Sequence, residues 1–305
     1  MSDFDLIIFG AGPAGLTAGI YAARGGLSAL ILEDKVPGGQ AALTSVVENY
    51  PGVSDANGFD LSFVMLNQAK SFGAKLKTGK IESITLVGDE KRVKLSNGKE
   101  FSCRAVIIAT GAKSRPLGLD GETEFIGKGI SYCATCDGAF FKDKTVAVVG
   151  GGNTAVDDAL YLEKLAKKVY LIHRRDELRA DKILADRLKS SGVEIVWDSV
   201  VTNIFGNDVL TEIEVKNVKT NSLSRVFVDG LFVAVGQTPN TSFLENTDEK
   251  VLLTDGGYIV CDEEMRTNIS GVFVAGDVRE KTLRQIVTAC ADGAVAANSA
   301  IKYLR

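Results

Sequence analysis

The chain is poor in several residue types, and each shortage excludes something. It has one histidine, His173, in 305 residues. Zinc takes about four ligands from Cys, His or carboxylate. Beyond one close pair, the cysteines Cys103, Cys261 and Cys290 stand isolated, so no metal site is expected. Five cysteines are an odd count for a large chain, which suits a reducing cytoplasm better than a disulfide-stapled secreted domain. No apolar run approaches the ~18 residues of a membrane span. The start, Met1-Ser2-Asp3-Phe4-Asp5, is acidic, whereas an export signal opens on basic residues and a longer apolar stretch. Basic charge is not in excess. The net charge of −4 leaves no footprint for nucleic acid. Proline is scarce, at 5 residues against 32 glycines, which points to many tight strand-to-helix turns.

What is present is ordinary in bulk and specific in detail. Hydrophobic residues make up 45% and charged residues 24%, as in soluble globular proteins. The length exceeds the ~250–300 residues at which single cores tend to split, so two domains are expected.

Asp5-Leu6-Ile7-Ile8-Phe9 is an apolar run bounded by glycine, the pattern of a buried parallel strand. Gly10-Ala11-Gly12-Pro13-Ala14-Gly15 follows, then a helix-like stretch to Arg24, then the strand-like 28–32 and Glu33. Strand, glycine turn, helix, strand and acid in that order form a dinucleotide-binding unit. Gly10 permits the turn, Gly12 lets a pyrophosphate approach the backbone, and Gly15 lets helix and strand pack closely. The helix N-terminus offers unpaired N–H groups to phosphate, and Glu33 suits a ribose hydroxyl.

The unit occurs twice. Thr145-Val146-Ala147-Val148-Val149 leads into Gly150-Gly151-Gly152-Asn153-Thr154-Ala155, a helix-like stretch and a second strand-like run. The position matching Glu33 holds His173, followed by Arg174 and Arg175, with Arg179 close behind. An acid repels a 2′-phosphate, whereas arginine pairs with it in bidentate fashion. The second site is therefore assigned to NADPH and the first to the other dinucleotide, read as FAD.

Between the two lies Ser131-Tyr132-Cys133-Ala134-Thr135-Cys136-Asp137-Gly138. Two thiols at this spacing can close a small disulfide ring and reopen it, and such a turn commonly lowers one thiol pKa. Two inert buried cysteines or half a zinc site are the alternatives. The electron-carrying machinery around the pair favours redox. Asp137 is suited to supplying or relaying a proton; capping the next helical turn is its alternative role.

With these motifs in order along nearly the whole length, the chain resembles the low-molecular-weight, bacterial-type NADPH-dependent thioredoxin reductases of the flavin disulfide reductase superfamily. The resemblance implies that Gly10, Gly12, Pro13, Ala14, Gly15 and Glu33 hold FAD. It implies that Gly39, Gln40, Asn49, Thr110, Gly111, Gly276 and Asp277 line that cofactor, with Arg284, Gln285 and Ile286 beside the flavin. Gly150, Gly152, Asn153, Thr154, Ala155, His173, Arg174, Arg175 and Arg179 then match the NADPH site. Cys133, Cys136 and Asp137 match the redox-active pair and its acid, with Cys136 toward the flavin and Cys133 attacking the disulfide of thioredoxin or a thioredoxin-like protein. The alternatives are a related flavoprotein serving another partner and a flavin redox sensor without turnover.

The implied fold class is α/β, two Rossmann-like three-layer domains with the second inserted in the first. The expected boundaries are 1–112 and 243–305 for the FAD domain and 113–242 for the NADPH domain. Alternation across 80–104 around Asn97-Gly98, a hairpin signal, and again across 192–232, predicts an antiparallel β flap on each domain. Short joints at 111–113 and 236–240 connect the two. A cytoplasmic homodimer is expected from the resemblance alone. Cys290 stands where the family usually has a small residue, and it reads as a buried filler.

Overall fold

The computed structural model describes residues 2–43, 47, 49–53 and 56–305. Met1, in the acidic start noted above, lies outside the described residues. The chain forms two compact units, Met1–Lys113 with Thr238–Arg305, and Ser114–Gln237.

The first unit opens with β1 (Phe4–Phe9), α1 (Pro13–Arg24), β2 (Ala29–Glu33), α2 (Gly58–Ser71) and β3 (Lys75–Thr78). These strands pair in parallel in the order β3-β2-β1. From Leu6 to Phe9 β1 is apolar and buried because both its faces are covered. Leu6 and Ile8 enter one core with α1, while Ile7 and Phe9 enter the other. Then come β4 (Ile81–Thr85), β5 (Lys91–Leu95) and β6 (Glu100–Ile108). The first half of β6 pairs antiparallel with β5, and its second half pairs parallel with β1. The predicted flap therefore grows out of the main sheet through one long strand.

The second unit follows β7 (Ala112–Ser114). It contains β8 (Ile130–Ser131), α3 (Ala134–Asp137), β9 (Thr145–Gly150), α4 (Asn153–Glu163), β10 (Lys168–Ile172), α5 (Lys182–Lys189), β11 (Glu194–Val196), β12 (Ser199–Gly206), β13 (Leu210–Asn217), β14 (Leu223–Phe227) and β15 (Gly230–Ala234). Its sheet runs β11-β10-β9-β15-β8, all parallel. β12-β13-β14 form the antiparallel flap. The flap is narrower than the alternation suggested. Ile195 pairs with Leu171 in β11, and 230–234 form a buried central strand. A half-covered edge strand of a parallel sheet alternates just as a flap strand does, so pattern alone does not separate them.

The chain then returns through β16 (Gln237–Pro239) to β17 (Val272–Val274) and α6 (Ile286–Leu304). β17 pairs parallel with β6. The second crossing falls at Gln237–Thr238, ahead of residue 242. Thr241 Oγ1 donates to Gly257 O at 3.1 Å, and Phe243 meets Phe9 edge-on with ring centroids 6.0 Å apart, which keeps both with the first unit. α6 is alanine-rich because it lies hard against α1. A Cβ on Gly293 would overlap the Ala14 carbonyl, and Ala18, Ala296, Ala297 and Ala300 are fully buried. Among the described residues no helix is long and apolar enough to cross a membrane.

Candidate functional site

The first glycine turn joins β1 to α1, and its glycines answer to different neighbours. Gly10 has φ +100°, and a side chain there would strike Ala109 O. A Cβ on Gly15 would overlap Gly10 O. Gly12 is free of such limits. Its nearest neighbour to an added Cβ is Gly39 Cα at 3.9 Å, and its φ of −75° is open to any residue. The protein thus explains Gly10 and Gly15 but not Gly12, as expected where a ligand backbone must approach. Pro13 starts α1 without an N–H, and Ala14 and Gly15 are buried in its first turn. Glu33 ends β2 with its carboxylate at the turn. It accepts the Ala11 N–H at 2.8 Å and the Lys35 N–H at 3.0 Å. Burial, the largest influence, pushes its carboxyl up.

Other sequence-predicted residues of the first unit gather around this turn. Gly38 N–H donates to Ala11 O at 2.8 Å, carrying Gly39 and Gln40 in behind it. Asn49 Nδ2 donates to Gln285 Oε1 at 3.0 Å, and Gln285 with Thr288 closes a capping box at the start of α6, one residue before Ile286. Thr110 Oγ1 donates to Asn240 O, and Asn240 Nδ2 returns a bond to Thr110 O, both at 2.8 Å. Gly111 follows with φ +68°. A Cβ on Gly276 would come within 2.8 Å of the Ala14 methyl. Asp277 is largely buried, which pushes its carboxyl up, and its Oδ1 has no hydrogen-bond partner among the described residues. Arg284 lies over the Tyr258 ring at 4.4 Å with an unpartnered Nε. A buried acceptor without a partner among the described residues, one residue past a glycine packed on the first turn of α1, suits a phosphate-bearing dinucleotide with hydroxyls.

The sequence reading missed Asp292. It sits on α6, 6% exposed, and accepts Gly276 N–H at 3.1 Å, Arg279 Nε and Nη2 at 3.0 Å each, and Lys281 Nζ at 2.7 Å. Burial alone would raise its carboxyl, but the bonds from Arg279 and Lys281 outweigh it and hold it below the usual range. Asp292 thereby fixes the turn that carries Asp277. A lone acid in an alanine-rich helix was the available signal. Cys290, two residues earlier on α6, is partly buried, with Sγ 3.9 Å from Pro13 O and 3.8 Å from Tyr50 Oη.

The second turn repeats the logic in its own unit. A Cβ on Gly150 would lie 2.5 Å from both the Ala155 Cβ and Ala234 O, and one on Gly151 would overlap the His173 ring. Nothing lies within 4 Å of a Cβ on Gly152. Asn153 Nδ2 donates to Asp181 Oδ2 and the Asp181 N–H returns to Asn153 Oδ1, both at 2.8 Å. Arg179 N–H donates to Gly151 O at 2.7 Å. These bonds fold the segment after β10 back onto the turn, where Thr154 is exposed and Ala155 buried. Arg174, Arg175 and Arg179 are exposed, and among the described residues no acid pairs with them. His173 is different. It is 4% exposed, with Nε2 bonded to Glu177 O at 3.0 Å. Burial above all, then the charges of Arg179 and Arg174, holds it below the usual histidine range. The sequence grouped it with the arginines as a basic cluster. In the structure it is a neutral wedge beneath the turn, and the positive charge comes from the arginines.

Cys133 and Cys136 form a disulfide with Cα atoms 5.3 Å apart. The ring opens α3, a single turn in which Cys136 and Asp137 donate their N–H groups to Cys133 O at 3.3 and 3.1 Å. Asp137 makes no capping bond to the turn that follows. Instead its Oδ2 accepts from Ser131 Oγ at 2.6 Å. Tyr132 Oη donates to Glu122 Oε1 at 2.7 Å. Glu122, 3% exposed, also takes the N–H groups of Leu117, Gly118 and Leu119. That network anchors the loop leading to the pair. Nothing in the sequence distinguished Glu122 from exposed Glu124.

The profile of the family described as pyridine nucleotide-disulphide oxidoreductase matches residues 4–293. A thioredoxin reductase of Listeria monocytogenes is 48% identical over 303 residues, covering 99% of this chain and 94% of that protein. The crystal structure of thioredoxin reductase from Streptococcus pyogenes superposes with a TM-score of 0.87 at 44% identity, covering 99% of this chain and 98% of the other. The thioredoxin reductase from Giardia duodenalis does so with a TM-score of 0.88 at 36% identity, covering 99% and 98%.

Proposed function

The chain belongs to the pyridine nucleotide-disulphide oxidoreductase family and, within it, to the thioredoxin reductases, and on that premise we propose that NADPH and FAD serve it in reducing oxidised thioredoxin at the Cys133–Cys136 pair. Family membership carries flavin and nicotinamide cofactors in general. Their identity as FAD and NADPH is our reading of the two glycine turns. The observation that carries it is one compact unit holding both a closed Cys133–Cys136 disulfide and a glycine turn flanked by the exposed Arg174, Arg175 and Arg179.

In this reading the first unit holds FAD and the inserted unit holds NADPH and the redox pair. The chemistry FAD supplies when bound is a two-electron relay between a nicotinamide and a disulfide. Gly10, Gly12, Pro13, Ala14 and Gly15 present the α1 N-terminus to its pyrophosphate, and Glu33 receives a ribose hydroxyl. Asp277 Oδ1, a buried acceptor without a donor, takes a hydroxyl of the ribityl chain. Gly39, Gln40, Asn49, Thr110, Gly111, Gly276, Arg284, Gln285 and Ile286 complete the lining. Gly150, Gly152, Asn153, Thr154 and Ala155 present α4 to the NADPH pyrophosphate, the three arginines hold its 2′-phosphate, and His173 supports the turn from below.

In the reduced pair, the Cys133 thiolate attacks the partner's disulfide and forms a mixed disulfide. Cys136 then attacks Cys133 Sγ, closing the ring and releasing the partner as a dithiol. Asp137 carries the protons this requires. We further propose a cytoplasmic homodimer, which the apparent mass in solution tests for assembly. The purified protein should be yellow, bleach on NADPH titration and regain its colour with oxidised thioredoxin. A colourless chain unable to take up flavin overturns the reading.

A further inference from the structure

We propose that Ser131 is a positioning residue of the dithiol chemistry, its hydroxyl fixing the Asp137 carboxylate against the Cys133–Cys136 turn. The inference rests on the reading of Asp137 as proton carrier.

Ser131 Oγ has three polar neighbours and only one hydrogen to give. It accepts the Cys133 N–H at 3.1 Å. Its own hydrogen could go to Cys133 O at 3.3 Å or to Asp137 Oδ2 at 2.6 Å. The shorter distance lies in the range of charge-assisted O–H···O⁻ bonds and the longer does not, so the hydrogen belongs to Asp137. Ser131 is 4% exposed, so water is a poor substitute for the hydroxyl.

The two ends of this bond differ in rigidity. Ser131 closes β8, where it pairs with Phe232 of a buried parallel strand. Asp137 closes α3, four residues long, and so short a helix has little stability of its own. The ring in that helix opens and closes on every turnover. Ser131 therefore ties the mobile acid to the fixed sheet through both states. Its acceptor bond from Cys133 N–H, two residues on, also bends the chain into α3.

The step served is balanced as follows. The two protein sulfurs lose their protons and join in one S–S bond. The partner's S–S bond breaks, and each of its sulfurs gains a proton. Two electrons and two protons pass to the partner, and the Asp137 carboxylate takes a proton from a protein thiol and yields it to a departing sulfur.

The test is a single-turnover reaction of the reduced holoenzyme with oxidised thioredoxin, quenched in acid, with the remaining protein thiols counted by alkylation. Ser131→Ala should slow this step about tenfold, as expected for losing a bond to a charged group. Ser131→Thr, which keeps the hydroxyl, should restore the rate. In an Asp137→Asn background, Ser131→Ala should add nothing. Equal slowing in both backgrounds, or a threonine variant as slow as alanine, overturns the inference. A slow Asp137→Asn beside a normal Ser131→Ala sinks the inference alone, while a normal Asp137→Asn sinks the proton role and the inference together.

Discussion

Gly12 and Gly15 stand three residues apart in one turn and are glycine for unrelated reasons, so substitution should separate them. Gly15→Ala forces a Cβ into the Gly10 carbonyl, and such overpacking costs about 1–3 kcal/mol. It should lower the melting temperature of flavin-stripped protein. At Gly12 an added Cβ meets only Gly39 Cα, in ordinary contact at 3.9 Å, so Gly12→Val should leave that temperature alone while flavin content falls, read from visible absorbance. A valine variant that keeps its flavin would show that no ligand passes Gly12. The arginines allow a second separation. Arg174→Ala with Arg175→Ala removes charged hydrogen bonds of about 1.5–3 kcal/mol each, roughly tenfold or more in NADPH affinity per residue. Titration with NADH should change little, and equal losses for both cofactors would refute a phosphate contact. At this scale the sequence announced residues whose spacing is the signal: the glycines, the arginines and the cysteine pair. It was silent on Asp292, which is defined by partners 11–16 positions away. It was misleading on His173, because burial rather than residue type decides its charge.

Among the elements, α4 carries a burden its sequence does not advertise. Asp158 lies on it with its carboxyl pushed up to about 7, first by burial and then by neighbouring Asp157. The folded chain therefore keeps a proton there over a range in which the unfolded chain, at the ordinary value of 3.8, has lost it. Stability should fall as pH rises from about 4 to about 7, the cost being complete above that window and at most about 4 kcal/mol. His173, in the same unit, works in the opposite sense. Held below its usual 6.5, it takes up protons more readily when unfolded and costs stability as pH falls. The difference between wild type and Asp158→Asn isolates the first effect. The variant should be more stable above pH 7 and should converge on the wild type near pH 4 in urea unfolding. A constant difference across pH would deny the titration. The elements themselves were largely legible. Unbroken apolar runs such as 6–9 and 146–149 read as strands covered on both faces, and so they are. β11 was misassigned to the flap because its alternation fits either sheet, and α3, one turn long, is too short to show any period.

For the whole molecule, the division of labour creates a geometric demand. One unit carries both the arginine-flanked turn and the disulfide, while the proposed flavin belongs to the other. A single ring face cannot meet a nicotinamide and a disulfide at once, and Cys133 must in addition reach a protein partner. We propose that the inserted unit turns between two orientations. Two short joints connect the units. In the first unit Asn240 N–H donates to Gly111 O, and in the second Arg115 N–H donates to Gly236 O, both at 2.9 Å. The joints are too short to act as flexible tethers, yet each has a glycine at positive φ, +68° at Gly111 and +118° at Gly236. Short paired connections with such residues behave as a hinge. A covalent crosslink tying the two units in one orientation should thus abolish steady-state turnover without unfolding either. It should spare one half-reaction, either reduction by NADPH or oxidation by thioredoxin, according to the orientation trapped. Stopped-flow traces of the locked protein in each direction make the distinction. Full turnover under the lock would mean that one arrangement serves both exchanges.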